Sequence, residues 1–111
     1  MSDSLNSRIY RVDKFVVPAA SRDEFLARAN AARDLLRQQP GFVLSTYLEQ
    51  YAGPGEFNIV AIAEWSSQAH ADEAKVAIAA FTQQSNVEPQ DAFQRRLGIK
   101  SDLGFYKEIG A

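Results

Sequence analysis

The chain has 111 residues, the length of one domain, and an apolar fraction of 46% supplies it with a core. Its 12 basic and 14 acidic residues give a net charge of −2, without the basic excess on which nucleic-acid binders depend. It has no cysteine, which excludes a disulfide framework, a thiolate metal site and a cysteine nucleophile.

The N-terminal residues contain no apolar stretch resembling a signal peptide, and residues 1–7 read as a tail. The longest apolar runs, at 59–63 and 76–81, are far short of the ~20 residues that cross a bilayer. The expectation is a single cytoplasmic domain with neither a membrane nor a nucleic acid as partner.

Residues 9–17 are rich in β-branched and aromatic side chains and stop at Pro18, which predicts a first strand. Ser21-Arg22-Asp23-Glu24 has the pattern of a capping box, in which the serine hydroxyl accepts a backbone N–H from the first helical turn. Behind it Phe25, Ala29, Ala32 and Leu36 share one helix face, Glu24 and Arg28 are spaced for an i,i+4 ion pair, and Pro40-Gly41 ends the helix.

Residues 42–51 predict a second strand, with Phe42, Leu44 and Leu48 on one face and Val43, Tyr47 and Tyr51 on the other. A Gly-Pro-Gly turn at 53–55 leads into a third strand over 57–65. A second helix begins near Ser66 or Ser67 and runs to about Gln84, with Ala74, Ile78 and Phe81 as its inward stripe. A short helical segment over 90–97 and a last strand over 102–109 complete the chain. This order predicts an α+β fold, the ferredoxin-like split βαβ arrangement, with a four-stranded antiparallel sheet and its helices on one face.

In such a fold the uncovered sheet face is polar in a monomer. The third strand has Phe57, Ile59, Ala61, Ala63 and Trp65 at odd positions but Val60 and Ile62 at even ones, so both its faces are apolar. A second sheet packed on the free face is the simplest remedy, and a homodimer is expected.

Four segments add a family resemblance. They are Val12-Asp13-Lys14-Phe15-Val16-Val17-Pro18, the Pro40-Gly41-Phe42 entry to the second strand, Ile62-Ala63-Glu64-Trp65 before the second helix, and Leu97-Gly98-Ile99 before the last strand. In order and spacing they resemble the antibiotic biosynthesis monooxygenase family of dimeric α/β-barrel proteins. The resemblance implies a barrel-forming dimer and a cavity between sheet and helices that binds a small aromatic ligand (phenolic, quinol or polyketide-like). It implies a monooxygenase that needs no cofactor, because an electron-rich phenolate can itself give an electron to dioxygen. Two positions depart from the pattern. Ala61 stands where the polyketide oxygenases carry asparagine, and Lys75 where haem-degrading members carry histidine. A non-catalytic dimeric binding domain and a haem-binding relative therefore stand as alternatives.

His70, the single histidine, falls in the first turn of the second helix, where the helix dipole favours neutral imidazole; it is the candidate base. Trp65 is the candidate wall for an aromatic ligand, with Tyr47, Phe81, Asn58 and Tyr106 as further candidate substrate contacts. No set of residues has metal-ligand spacing, and neither a phosphate-binding glycine loop nor a nucleophile elbow is present.

Overall fold

The computed structural model describes residues 7–110. The expected tail at 1–7 lies outside them apart from Ser7, whose hydroxyl donates to the Ser66 carbonyl at 2.7 Å. In chain order the elements are β1 (Ile9–Val16), a 3-10 turn (Ala19–Ser21), α1 (Arg22–Arg37), β2 (Phe42–Glu49), β3 (Ile59–Trp65), α2 (Gln68–Gln84), α3 (Gln90–Leu97) and β4 (Lys100–Tyr106). The strands form one antiparallel sheet in the order β2-β3-β1-β4, the ferredoxin-like topology.

The register sorts side chains between faces, because successive residues of a strand alternate. One face carries Ile9, Arg11, Asp13 and Phe15 of β1 and, opposite them, Trp65, Ala63, Ala61 and Ile59 of β3. All the helices pack here. Phe15, Val17 and Ile59 join Phe25 and Ala29 of α1, Phe93 of α3 and Ile99 in one core cluster. Ile9 and Trp65 join Ala71 and Ala74 of α2 in a second. Each large apolar side chain so buried contributes about 1.5–3 kcal/mol.

Four local expectations give way to tertiary contacts. A β-bulge between Phe42 and Leu44 shifts the register of β2, so Phe42 lies opposite Trp65 while Leu44 lies opposite Glu64. Phe42 thereby joins Tyr47 on the helix face and leaves Leu44 and Leu48 on the other. Ser21 does not cap α1: the preceding 3-10 turn already gives it helical backbone angles, and its hydroxyl donates to the Leu97 carbonyl at 2.9 Å, tying α1 to the end of α3. Glu24 pairs with Arg96 at 2.6 Å rather than with Arg28. On α2 the inward stripe is Ala71 and Ala74, with Phe81 left 47% exposed near its C-terminus, because the small residues let the helix sit close over Trp65.

The opposite sheet face carries Val12 and Val16 of β1, Leu44 and Leu48 of β2 and Val60 and Ile62 of β3. No helix covers it among the described residues, and Leu44 and Leu48 are about half exposed, at 53% and 51%.

Candidate active site

Between the sheet and helices α1 and α3 lies a cleft of about 230 Å³. Its floor is a row of side chains running across all four strands. Tyr47 of β2 is opposite Ala61 of β3, which is opposite Asp13 of β1, which is opposite Leu103 of β4. Ala61 makes the space: a methyl group between a tyrosine and an aspartate, about 4.8 Å from each neighbouring strand, leaves a depression that a larger residue would fill. Arg28 and Ala29 of α1 and Phe93 of α3 form the opposite wall.

Asp13 is the polar centre of this cleft. Arg11 and Asp13 are two residues apart on one strand, so both project toward the helices, and the Arg11 Nε donates to the Asp13 Oδ1 at 2.5 Å. The Arg11 guanidinium also lies over the Phe105 ring, 5.2 Å from its centroid. Burial pushes the Asp13 carboxyl above the ordinary aspartate range, and the hydrogen bond and charge of Arg11 offset part of that rise. The result is a carboxylate more basic than a surface aspartate.

Tyr47 is held by its hydroxyl, which donates to the Ala29 carbonyl at 3.2 Å, and by the Arg33 guanidinium 5.0 Å above its ring. Burial pushes the Tyr47 hydroxyl above the ordinary tyrosine pKa, with the charge of Arg33 acting in the opposite direction. Arg33 is fixed in turn by donating to the Ser45 carbonyl at 3.1 Å, while its Nε is buried without a partner. Arg28 lies over the Phe93 ring at 4.5 Å, and burial lowers its pKa.

Of the candidate site residues named from the sequence, only Tyr47 lines this cleft, beside Ala61, the position that departs from the polyketide oxygenases. Trp65 is 3% exposed beneath α2 and meets the Phe42 ring edge-on at 5.7 Å. His70 sits at the start of α2, where Ser67 is the N-cap and accepts the His70 backbone N–H at 3.2 Å. Its Nδ1 is 2.9 Å from the Ser67 hydroxyl and 3.1 Å from that of Ser66. Its ring packs on Gly41, which has φ +80°; a Cβ there would lie 2.2 Å from the imidazole.

Asn58 acts as a strand-end clamp: its Oδ1 accepts the Val17 N–H and its Nδ2 donates to the Val17 carbonyl, both at 2.8 Å. Phe81 is on the outer part of α2, and Tyr106 is 46% exposed on the uncovered sheet face, opposite Tyr10. Arg11, Asp13 and Arg28, which line the cleft, were not among the site candidates named from the sequence. The available signal was two charges at odd positions of β1, between the apolar Ile9 and Phe15.

Among the described residues no group of three or more His, Cys, Asp or Glu could hold a metal ion, and no helix is long and apolar enough to cross a membrane. The model of the antibiotic biosynthesis monooxygenase family matches residues 8–75, which include β1 through β3 and the start of α2. The chain belongs to that family.

Solved structures agree in fold across the whole monooxygenase-family domain. A proposed monooxygenase from Shewanella loihica PV-4 is 20% identical, with 95% of this chain and 97% of that chain covered and a TM-score of 0.70. A single-substitution variant of SnoaB, a cofactor-independent oxygenase from Streptomyces nogalater, is 25% identical, with 95% and 96% covered and a TM-score of 0.69. MhuD, in a variant with two manganese protoporphyrin IX molecules bound per active site, is 18% identical, with 93% and 96% covered and a TM-score of 0.66. No curated protein matches the chain.

Proposed function

We propose that the chain is a cofactor-independent monooxygenase that oxidises a small phenolic or quinol-like aromatic in the cleft, with Asp13 as the base. The observation that carries this reading is the half-buried Asp13 carboxylate at the floor of a cleft whose walls include the rings of Tyr47 and Phe93. Family membership and the likeness to SnoaB support the reaction class.

The chemistry needs one strong local base and a dry site. Asp13 takes a proton from the substrate, and the resulting anion is stabilised by Arg11 beside it. That anion passes one electron to dioxygen, and the substrate radical and superoxide recombine to form a carbon–oxygen bond. Protonation and loss of water then leave a carbonyl, so one oxygen atom enters the product and the other leaves as water. The Asn position of the polyketide oxygenases is Ala61 here, which supplies room rather than a hydrogen bond. The polar work falls to Asp13 on the neighbouring strand, directly opposite Ala61.

A haem-based reading receives no comparable support. Lys75 is exposed on α2, and the single histidine does not line the cleft.

We also propose that two copies associate through the uncovered faces of their sheets, where Leu44 and Leu48 are exposed beside Val12, Val60 and Ile62. Oxygen-electrode measurements with a panel of anthrones and hydroquinones test the enzymatic reading. Uptake above the spontaneous rate that is lost in Asp13→Asn is expected. Uptake undiminished in that variant would remove Asp13 as base, and none with any substrate would favour a binding domain without turnover.

A further inference from the structure

Three charged side chains line the cleft, and they do not cancel: Arg11 and Asp13 are paired with each other, and Arg28 remains. Arg28 makes no hydrogen bond or ion pair with any described residue. The nearby carboxylates are hydrogen-bonded to Arg96, Glu24 at 2.6 Å and Glu88 at 2.9 Å, so Glu88 acts on Arg28 through its charge alone. Arg28 is instead held flat over Phe93, partly desolvated, with the donors of a guanidinium unused beside the cleft. Gln94, another lining residue, accepts from the Ser101 hydroxyl through Oε1 at 3.0 Å, which leaves its amide N–H groups without a partner among the described residues. The wall facing Asp13 thus has spare donors and no spare acceptor charge.

We propose that the cleft selects an aromatic substrate bearing a carboxylate, and that Arg28 is the residue that selects it. The guanidinium fork matches a carboxylate in two parallel hydrogen bonds, and its face is already fixed by Phe93, so little ordering entropy is lost on binding. The substrate's phenolic edge lies toward Asp13 and its carboxylate toward α1 and α3. That orientation keeps the acid away from the Asp13 carboxylate, which would repel it. This inference rests on the cleft being the substrate site proposed above.

Calorimetric titration of hydroxynaphthoate and of the matching neutral naphthol, neither of which needs to turn over, tests it. The wild-type chain is expected to bind the acid about tenfold more tightly, a preference that shrinks as salt is raised. Arg28→Gln is expected to abolish the preference and Arg28→Lys to retain part of it, with circular dichroism confirming the fold of each. Equal affinity for the two ligands, a preference indifferent to salt, or a preference that survives Arg28→Gln overturns the proposal. Binding of neither ligand overturns it together with the enzymatic reading. An Arg28-dependent preference without oxygen uptake from any quinol sinks only the monooxygenase reading. Equal oxygen uptake from acidic and neutral quinols sinks only the role of Arg28.

Discussion

Asp13 carries a charge onto the inner face of a central strand, where burial disfavours ionisation, and its partner Arg11 comes from the same strand rather than from a helix. The pair is therefore assembled whenever β1 forms. The pH dependence follows from the direction of the shift. The active form of the base is the carboxylate, so activity falls as pH drops through the Asp13 pKa. That value is raised, so the acid limb lies above the ~3.9 of an unperturbed aspartate. Arg11 lowers the Asp13 pKa, so Arg11→Met is expected to move the acid limb to still higher pH; a limb unmoved or shifted downward in the pH–rate profile rejects the pairing. Asp13→Asn should reduce turnover by about 10²–10⁴-fold, the usual worth of a positioned base, in steady-state oxygen uptake. Ala61→Phe should close the cleft, abolish ligand binding in calorimetry and cost about 1–3 kcal/mol of stability from overpacking.

At the scale of elements, the sequence made the strands and helices legible through their periodicities, except where the bulge at the start of β2 shifts the phase of that strand. The segment over 90–97 matches α3 from end to end, whereas β3 is apolar on both faces and only the structure shows that its odd face meets the helices. The site was less legible. Glu24 and Arg28 have ideal spacing for a helical pair, but an exposed pair is worth only a few tenths of a kcal/mol, and Arg96 on another helix offers Glu24 a shorter contact. Such a choice depends on tertiary distance and leaves no trace in local spacing. His70 illustrates the converse, since the helix start that suggested a base also supplies two serine hydroxyls at its Nδ1, and Gly41 before β2 packs on its ring. Gly41→Ala is expected to cost more than about 1 kcal/mol, through both the positive φ and the collision with His70, readable as a drop in Tm. His70→Ala should lower Tm as well but leave the rate of oxygen uptake within twofold of wild type; a loss approaching that of Asp13→Asn would return His70 to the chemistry.

At the scale of the molecule, one side of the sheet holds the cleft and the other is the face through which two copies are proposed to associate. The four strands and three helices are the whole layer structure of the described residues, so the apolar side chains of the even face have no helix over them among those residues. Leu48→Asp places a charge at the exposed part of this face, and light scattering is expected to show the dimer giving way to monomer. A wild-type chain that is monomeric at micromolar concentration rejects the assembly. The two sides share strands but not side chains, so such a variant should keep the cleft's ligand preference even as it changes mass.

The bulge in β2 has a consequence for how the chain tolerates change. It acts as a phase adjuster: upstream of it Phe42 braces Trp65, and downstream Tyr47 borders the cleft, although the two residues are an odd number of positions apart and would otherwise point to opposite sides. A deletion of Val43 alone would force the strand to choose between its scaffold and its site. Length, and not only residue identity, is therefore under constraint at the start of β2.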